Sequence, residues 1–376
     1  MFTDSQSEVH NVSSLPSNQT VHVQLAERSY DIHVGAETLS QIGTLVRSLR
    51  TVSHVVIITD TNCQTLAQPI ESHLRDAAIR TNILTVPAGE PSKSAVTAAD
   101  LWEQTIATHA DRKSVILAVG GGVVGDLAGF IAATFTRGID FIQVPTTLLA
   151  QVDSSVGGKV GINLSSAKNM VGAFWQPRLV VIDTNVLTSL PDRDFRCGLA
   201  EVIKYGVILD EDFFSYLEAN ADAILQRDPS ALTHIVARSC RLKADVVEQD
   251  ERETTGLRAV LNYGHTFAHA FESLCGYGQV LHGEAVSIGM LCASRLAELL
   301  GRIDHATTGR QFELIRKFGL PTEVPDVSIE DAIAVMQKDK KVEHGRLRFV
   351  LPTRLGHVEL VGDVDPQLVR QAMLHQ

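Results

Sequence analysis

Two imidazoles and a carboxylate in the second half of the chain could together hold a divalent metal ion. They are offered by three segments: residues 198–204 (GLAEVIK), 258–269 (RAVLNYGHTFAH) and 281–284 (LHGE). A site with three protein ligands leaves one coordination position open, which is typical of catalytic rather than structural zinc. The i, i+4 spacing favours His265 and His269 as the two imidazoles. It leaves open whether His269 or His282 is the true second histidine ligand.

The second of these segments carries a regular polar pattern. Its polar residues fall at i, i+4, i+7 and i+11: Arg258, Asn262, His265 and His269. If the stretch is helical, all four point from one face. Their neighbours are mostly apolar, which predicts a buried helix whose polar stripe lines a site, because buried polar groups need partners. The alternative is the solvated face of an ordinary amphipathic helix, and Gly264 within the pattern weakens the prediction of a helix.

Composition is typical of a large protein that binds neither membranes nor nucleic acids. The chain has 376 residues, 44% of them hydrophobic, which predicts two domains with substantial cores. No apolar run reaches the roughly 18 residues that span a bilayer, and the net charge of -11 argues against nucleic-acid binding. Five scattered cysteines predict reduced thiols in the cytoplasm. Residues 1–20 contain no Lys or Arg, and we expect them to form a disordered extension.

Secondary-structure patterns divide the chain near residue 187. From residue 21 to 186, short β-rich runs alternate with helical ones, which predicts an α/β domain with a largely parallel sheet. Residues 187–376 are predicted to be mainly helical with one late β-hairpin, so the default ligand site is a cleft between the halves. The predicted strands are 22–24, 31–34, 54–60, 82–86, 114–119, 141–144 and 179–183, with the hairpin at 347–351 and 357–361.

Two glycine-rich segments in the first half could contact phosphate groups. Residues 120–126 (GGGVVGD) satisfy GxGxxG and could place a pyrophosphate at a helix N-terminus, although the motif comes later than in a standard dinucleotide-binding fold. Asp60, which ends an earlier strand with Asn62 close by, is the candidate for an adenosine ribose. Residues 153–161 (DSSVGGKVG) are not a Walker A loop, but their glycine turn presents Lys159 either to a phosphate or carboxylate or to solvent.

Taken together in their order and spacing, the motifs of the chain resemble those of the 3-dehydroquinate synthase family of sugar-phosphate cyclases over residues 21–362. In the first half they are AGEPSK (88–93), GGGVVGD (120–126), TFTRG (134–138), PTT (145–147) and DSSVGGKVG (153–161) with Lys168-Asn169. In the second half they are GLAEVIK (198–204), ERE (251–253), LNYGHTFAH (261–269), HGE (282–284) and DKK (339–341). The resemblance implies a Rossmann-like, NAD-binding α/β domain, a mainly α-helical metal-binding domain and a homodimer.

The resemblance also implies a role for each matching residue. The implied metal ligands are Glu201, His265 and His282, while His269 would contact substrate. The implied NAD site comprises Asp60, Asn62, Glu90, Lys93, Gly121, Gly122, Val123, Asp126, Thr146, Thr147 and Ser189, the last standing where the family commonly has Thr. The substrate phosphate would meet Lys159, Asn169, His269 and Arg137 of the partner subunit. The carboxylate end would meet Lys243, Arg258, Asn262 and Lys340 or Lys341, with Asp153 and Lys204 completing the pocket.

The activity implied by the resemblance is the conversion of 3-deoxy-arabino-heptulosonate 7-phosphate (DAHP) to 3-dehydroquinate and phosphate, the second step of the shikimate pathway. The family uses NAD catalytically, together with one divalent metal, Zn²⁺ or Co²⁺. Two competing interpretations are another sugar-phosphate cyclase and an NAD-linked, metal-dependent polyol dehydrogenase. The charged and amide side chains of Lys159, Asn169 and Arg258 argue against the dehydrogenase, because a neutral polyol needs no such partners.

Overall fold

The structure, a computed structural model, describes residues 18–49, 52, 54–276, 279–338 and 347–374. Most of the extension predicted for residues 1–20 therefore lies outside the described residues, as do Lys340 and Lys341. The prediction is wrong for its last three residues, because Asn18–Val23 form the first strand. Residues 18–20 pair through their backbone with Gly35, Val34 and His33 of the second strand, and this pairing holds them in the sheet.

Strands and helices alternate in the first half of the chain, and helices dominate the second. The strands are β1 Asn18–Val23, β2 Tyr30–Gly35, β3 His54–Asp60, β4 Arg80–Val86, β5 Val115–Gly120, β6 Asp140–Pro145, β7 Lys159–Leu164, β8 Ala167–Phe174, β9 Leu179–Asp183, β10 Arg348–Arg354 and β11 His357–Gly362. The helices are α1 Ile42–Leu49, α2 Gln64–Asp76, α3 Ala95–Ala107, α4 Gly122–Thr134, α5 Asp192–Leu209, α6 Glu211–Ala219, α7 Ala221–Leu225, α8 Pro229–Gln249, α9 His265–Cys275, α10 His282–Leu299, α11 His305–Lys317, α12 Ile329–Lys338 and α13 Pro366–Leu374.

A seven-stranded sheet in the order β1-β2-β9-β6-β5-β3-β4 organises the first half. Every neighbouring pair is parallel except β1 with β2, so the predicted largely parallel sheet is confirmed. Helices cover both faces: Ile42 and Leu74 of α1 and α2 pack on one, and Leu101 and Leu127 of α3 and α4 on the other. Strands buried on both faces are continuous apolar runs, which is why the sequence predicts them well.

The strand order creates a crevice at the carboxyl edge of the sheet. β3 lies between β4 and β5, so the chain leaves β3 toward one edge and then returns past it to β5 and β6. Ligands of open α/β sheets bind outside the carboxyl ends of the strands at such a point. Asp60 and Gly120 end β3 and β5 there, and the backbone N–H of Thr146 donates to the carbonyl oxygen of Gly120 (3.0 Å). The topology thus explains why the glycine motif comes late in the sequence.

The second half is built around α5, α8 and α10, which are buried along most of their length. Phe195, Tyr205 and Phe267 belong to the large core that these helices share. The hairpin β10–β11 packs against α5 and α10, and its prediction is confirmed. None of the helices in the described part of the chain is both long and apolar enough to span a lipid bilayer.

The prediction of one continuous helix over residues 258–269 is wrong. Leu257–Asn262 form a 3₁₀ helix, and α9 begins only at His265. Gly264 separates them with φ +77°, a left-handed conformation that favours glycine. The break also allows close packing, because a Cβ on Gly289 of α10 would lie 2.2 Å from the carbonyl oxygen of Gly264. Arg258 and Asn262 therefore belong to a different element from the two histidines.

The glycine-rich segment 153–161 is also more ordered than predicted. Ala150–Ser154 form a short π-helix, and Lys159 begins β7 of a β7–β8 hairpin that the predicted strands omit. The side chains of β8 are either exposed or half-buried, and none of them is fully buried. A strand without a buried face has no strong hydrophobic signal, which accounts for the omission.

Candidate active site

Glu201, His265 and His282 come together at the meeting point of α5, α9 and α10. Their ligand atoms all lie within 4.8 Å of one another. Nε2 of His265 is 3.6 Å from Oε1 of Glu201, and Nε2 of His282 is 3.7 Å from the same oxygen. Neither oxygen of the buried Glu201 carboxylate accepts a hydrogen bond from the described residues, although Oε2 forms an ion pair with Lys204, so the carboxylate still has lone pairs for a metal ion. This donor set, two imidazoles and one carboxylate, suits a catalytic zinc-type site.

The structure thereby separates His269 from the ligand group. His269 stands on α9 one turn after His265, and its ring meets the His265 ring edge-on with centroids 5.6 Å apart. It lines the adjoining cleft instead. The i, i+4 pair favoured by spacing is therefore not the pair that faces Glu201.

Glycine at position 283 lets α10 begin against α5. A Cβ at Gly283 would lie 2.0 Å from the carbonyl oxygen of Cys197, which is one turn before Glu201 on α5. The backbone N–H of Gly283 donates to Sγ of Cys197 (2.9 Å). This contact fixes the start of α10, and therefore His282, beside Glu201.

Burial and neighbouring charges shift the pKa of each residue in the ligand group. Nδ1 of His265 donates to the carbonyl oxygen of Tyr263 (3.0 Å), and burial, assisted by the nearby Lys204 ammonium, holds the pKa of His265 well below its usual value. Burial opposes ionisation of Glu201, yet its ion pair with Lys204 lowers the pKa of Glu201 to about 2. Burial also opposes protonation of His282, but the carboxylates of Glu201 and Glu272 raise its pKa to about 10.

A cleft of about 1260 Å³ opens beside His282 between the two halves of the chain. Basic side chains line it despite the negative net charge, and carboxylates pair with most of them. The sequence-predicted residues in its lining are Glu90, Lys93, Gly122, Val123, Asp126, Asp153, Lys159, Asn169, Lys243, Arg258, His269 and His282.

One carboxylate, Glu253, faces two of the cations. Its Oε1 forms an ion pair with Nζ of Lys159 and lies 3.5 Å from Nε of Arg258. Arg258 is buried, and its Nη1 donates to the backbone carbonyl oxygen of Glu251 (3.0 Å). Glu253 itself has φ +56°, which is uncommon for a residue with a side chain. A carboxylate of the chain thus occupies the end of the cleft where Lys159 and Arg258 lie.

Asp153 connects the cleft to the metal-ligand helix. Nζ of Lys243 donates to its backbone carbonyl (2.6 Å) and to Oδ1 (2.8 Å), and the hydroxyl of Tyr205 donates to the same Oδ1 (2.8 Å). Burial opposes ionisation, but Lys243 and Lys204 hold the pKa of Asp153 well below its usual range. Burial in turn lowers the pKa of Lys243. These groups form a charged network that burial keeps rigid.

Lys93 joins the glycine-rich helix to the β7–β8 hairpin. Its buried ammonium donates to Asp126 of α4 and to the side-chain oxygen of Asn169 on β8. A second link runs parallel to it, because Nδ2 of Asn163 donates to Oε1 of Glu90 (2.7 Å). The segment around residues 88–93 therefore positions Asn169 through its side-chain oxygen.

Five of the remaining residues predicted for a dinucleotide lie at the crevice of the sheet: Asp60, Asn62, Gly121, Thr146 and Thr147. Oδ1 of Asp60 accepts the backbone N–H of Asn62 (2.9 Å), which closes the turn after β3. Oγ1 of Thr146 lies 3.3 Å from Sγ of Cys63 in that turn. A Cβ on Gly121 would lie 3.1 Å from the Thr147 side chain, so the N-terminus of α4 faces the end of β6.

Several predicted residues lie away from the cleft lining. Ser189 ends the 3₁₀ helix Thr184–Ser189, where its hydroxyl donates to the carbonyl oxygen of Val186 (3.1 Å). Arg137 is exposed, and Asn262 is half-buried at the end of its 3₁₀ helix. Lys204 lies behind the cleft against Glu201.

Sequence reasoning missed Glu272 and Tyr205. Glu272 lies at the edge of the cleft, with Oε1 3.4 Å from Nδ1 of His282. Its spacing of seven residues from His265 was a usable signal, since positions seven apart share a helix face. Tyr205 carries no such signal, because its partner Asp153 is 52 residues away in sequence.

Comparisons with known proteins agree with this geometry. Residues 83–197 match the family profile described as 3-dehydroquinate synthase N-terminal, and residues 198–342 match 3-dehydroquinate synthase C-terminal. A 3-dehydroquinate synthase of Rhodopirellula baltica is 50% identical over 363 residues, covering 95% of this chain and 97% of that protein.

Two solved structures share the fold. One is a 2-deoxy-scyllo-inosose synthase complexed with carbaglucose-6-phosphate, NAD⁺ and Co²⁺, with a TM-score of 0.86, 26% identity and coverage of 94% of this chain and 99% of that one. The other is the 2-epi-5-epi-valiolone synthase of Streptomyces hygroscopicus subsp. jinggangensis with NAD⁺ and Zn²⁺, with a TM-score of 0.85, 27% identity and coverage of 93% and 97%. The fold, the ligand group and the sequence identity lead to one conclusion: the chain belongs to the 3-dehydroquinate synthase family.

Proposed function

We propose that this chain converts DAHP to 3-dehydroquinate and phosphate, with NAD as a catalytic cofactor and one divalent metal, Zn²⁺ or Co²⁺. The observation that carries the proposal is the position of Glu201, His265 and His282 beside a cleft lined by anion-binding side chains. Identity of about one half to 3-dehydroquinate synthases over nearly the whole chain supports the same reaction.

Different residues of the chain would bind the two ends of the substrate. A bound divalent cation supplies Lewis acidity to a substrate hydroxyl, and bound NAD⁺ supplies a reversible hydride acceptor. Lys159, Asn169 and His269 would hold the phosphate, joined by the partner subunit's Arg137. Charge-assisted hydrogen bonds of this kind contribute roughly 1.5–3 kcal/mol each in a sheltered site. Release of phosphate from the substrate then depends on these groups.

The carboxylate end of the substrate would meet Arg258 and Lys243, with Asn262 and Lys340 or Lys341 as further contacts. Arg258 suits a carboxylate because its planar guanidinium can pair with both oxygens. Asp153 and Lys204 would keep Lys243 and Glu201 in place through the ion pairs described above. They would also set the protonation state of the groups that face the substrate.

NAD⁺ would lie along the carboxyl edge of the sheet. Its adenosine ribose would meet Asp60 and Asn62, and its pyrophosphate would lie at the N-terminus of α4. The other residues proposed for this site are Glu90, Lys93, Gly121, Gly122, Val123, Asp126, Thr146, Thr147 and Ser189. The homodimer, the cytoplasmic location and the domain boundary near residue 187 stay predictions.

The anion-binding end favours this reaction over the alternatives. A polyol dehydrogenase acts on a neutral substrate and has no use for Lys159 and Arg258 in its cleft. Another cyclase acting on a sugar phosphate would use Lys159, but it would leave buried Arg258 without a carboxylate to bind. Arg258 therefore distinguishes the dehydroquinate reaction from other cyclisations.

The deciding experiment is phosphate release from DAHP with a trace of NAD⁺ and Zn²⁺ or Co²⁺. We expect phosphate to exceed total cofactor many times over, because oxidation and reduction fall within one catalytic cycle. Accumulation of NADH in proportion to product would support the dehydrogenase instead. Equal turnover of sedoheptulose 7-phosphate, which lacks the carboxylate, would support another cyclase.

A further inference from the structure

The two histidines of the ligand group are held in different ways. Each directs Nε2 at Oε1 of Glu201, so each must be fixed through its other ring nitrogen, Nδ1. For His265, Nδ1 meets the backbone carbonyl oxygen of Tyr263 at 3.0 Å. For His282, Nδ1 meets a side-chain oxygen, Oε1 of Glu272, at 3.4 Å. The first ring is oriented by the backbone, the second by a carboxylate.

Glu272 is well placed for this contact. It lies on α9 seven residues after His265, on the face that packs toward the start of α10. Its side chain is 21% exposed, and it forms part of the cleft wall together with His269 and Lys168. A carboxylate held there approaches the His282 ring from the side opposite Glu201.

We propose that Glu272 is a positioning residue for the metal ligand His282. It accepts the Nδ1–H of the ring, which selects the tautomer with the Nε2 lone pair directed at the metal and makes that nitrogen a stronger donor. His282 needs such support more than His265 does, because its side chain is 33% exposed against 11% for His265. The inference rests on the proposed metal site.

The charge balance of the group leads to the same role. The Lys204 ammonium pairs with Glu201 and cancels its charge. Glu272 contributes a further negative charge beside the ligand group, and Lys204 pairs with Glu201 rather than with Glu272. Removing the charge of Glu272 should weaken metal binding even where the three ligands are unchanged.

Metal affinity tests this role without DAHP or NAD⁺. Protein stripped by a chelator would be titrated with Co²⁺, whose visible absorption reports the coordination geometry, and with Zn²⁺ in competition with an indicator. We expect Glu272→Ala to raise Kd by roughly 10- to 100-fold, the usual cost of losing such a partner. Glu272→Gln should lose less affinity, since its amide oxygen can still accept the Nδ1–H but carries no charge.

The matched control is Glu298→Gln. Glu298 stands on the same helix as His282, about 24 Å further along it, and pairs with Nδ1 of His305 at 3.0 Å on the surface. The substitution removes a carboxylate from beside a histidine that lies far from the ligand group. The Kd of this variant for Co²⁺ should therefore stay within about twofold of the parent value. Thermal unfolding of the metal-free proteins should be alike for all variants, which separates positioning from a structural role.

Co²⁺ affinity of Glu272→Ala within twofold of the parent would overturn the proposal. So would an equal loss in Glu298→Gln, because the effect would then follow net charge rather than contact with His282. The result is independent of the proposed reaction: a chain that released no phosphate from DAHP, yet lost metal affinity in Glu272→Ala, would refute the reaction and keep the positioning role.

Discussion

At one end of the cleft the ligand group comes from three packed helices, whereas the other end comes from a hairpin and a loop. Glu201 and His265 are buried, and α10 starts against α5 with backbone contact at Gly283. Lys159 and Glu253 are exposed over 55% and 39% of their side chains. The difference teaches that the metal end is preorganised by the core, while the anion end is held by ion pairs that a ligand can exchange.

The energies of the two ends differ accordingly. The buried Glu201 carboxylate depends on charged partners, Lys204 and a metal ion, because burying a carboxylate without them is costly. Exposed ion pairs such as Lys159 with Glu253 contribute only about 0.2–1 kcal/mol, and salt weakens them. Changes at the metal end should therefore have large effects that are insensitive to salt. Changes at the anion end should have smaller effects that depend on which anion is offered.

The largest effect is expected from His282→Ala. Losing one of three ligands should release the metal and reduce phosphate release from DAHP by roughly 1000-fold or more, since Lewis-acid stabilisation accounts for about 4 kcal/mol or more. His269→Ala is the control, because His269 lines the cleft outside the ligand group. It should keep its metal and lose turnover only.

Elemental analysis of the two purified variants decides between the histidines. Metal retained in His282→Ala but lost from His269→Ala would reinstate the i, i+4 pair. The metal ligands would then be Glu201, His265 and His269, and not the group that the three packed helices bring together.

Arg258→Ala should have the next largest effect. The guanidinium is buried and is the proposed anchor for the substrate carboxylate. We expect kcat/KM for DAHP to fall by roughly 30- to 1000-fold, or about 2–4 kcal/mol, with metal content unchanged. Steady-state kinetics on DAHP and on sedoheptulose 7-phosphate provide the check. An equal loss of kcat/KM on both substrates would mean that Arg258 does not bind the substrate carboxylate.

Gly283→Ala should have an intermediate effect, on stability and metal affinity together. Its Cβ would lie 2.0 Å from the Cys197 carbonyl oxygen, so α5 and α10 would have to separate, at a cost of about 1–3 kcal/mol. Gly309→Ala in α11 is the matched control, since nothing lies within 4 Å of its Cβ position. That substitution should stabilise the helix by up to about 1 kcal/mol.

Denaturant unfolding and Co²⁺ titration would measure both variants. We expect the free energy of unfolding to fall in Gly283→Ala and to rise in Gly309→Ala. Metal binding should weaken only in Gly283→Ala. If both glycine variants bind Co²⁺ equally well, then the helix contact is not what holds His282 beside Glu201.

Much of the fold could be predicted because its strands are buried apolar runs. Strands β3 and β9 match the predicted bounds, and the α/β half followed by a helical half is confirmed. The β7–β8 hairpin could not be predicted, because β8 has no fully buried face. The break at Gly264 depends on close packing against Gly289, a contact between residues 25 apart that no local pattern contains.

The candidate site was predictable only in part, for a related reason. Local spacing finds ligands on one helix and so favoured His265 with His269, whereas the group facing Glu201 draws on three helices. His282 was identified through the family resemblance rather than through spacing. The ion pair of Lys159 with Glu253, which are 94 residues apart in sequence, is likewise formed only by the tertiary structure. Residue types could be proposed from sequence, but which charges neutralise each other could not.

Glu253→Gln should have the smallest effect, and it tests the exchangeable end directly. Its Oε1 faces both Lys159 and Arg258, so an incoming anion must displace it. Removing the charge at constant size should tighten binding of inorganic phosphate by roughly 1.5- to 5-fold, the equivalent of about 0.2–1 kcal/mol. Calorimetric titration with phosphate at low and high salt would measure this, and the gain should shrink as salt screens the pair. The control is Glu218→Gln, which removes a carboxylate of α6 that is paired with Arg310 of α11, and it should leave phosphate affinity unchanged. Weaker phosphate binding in Glu253→Gln would show that the carboxylate supports the anion site rather than competes for it, and the contrast between a preorganised end and an exchangeable end would not hold.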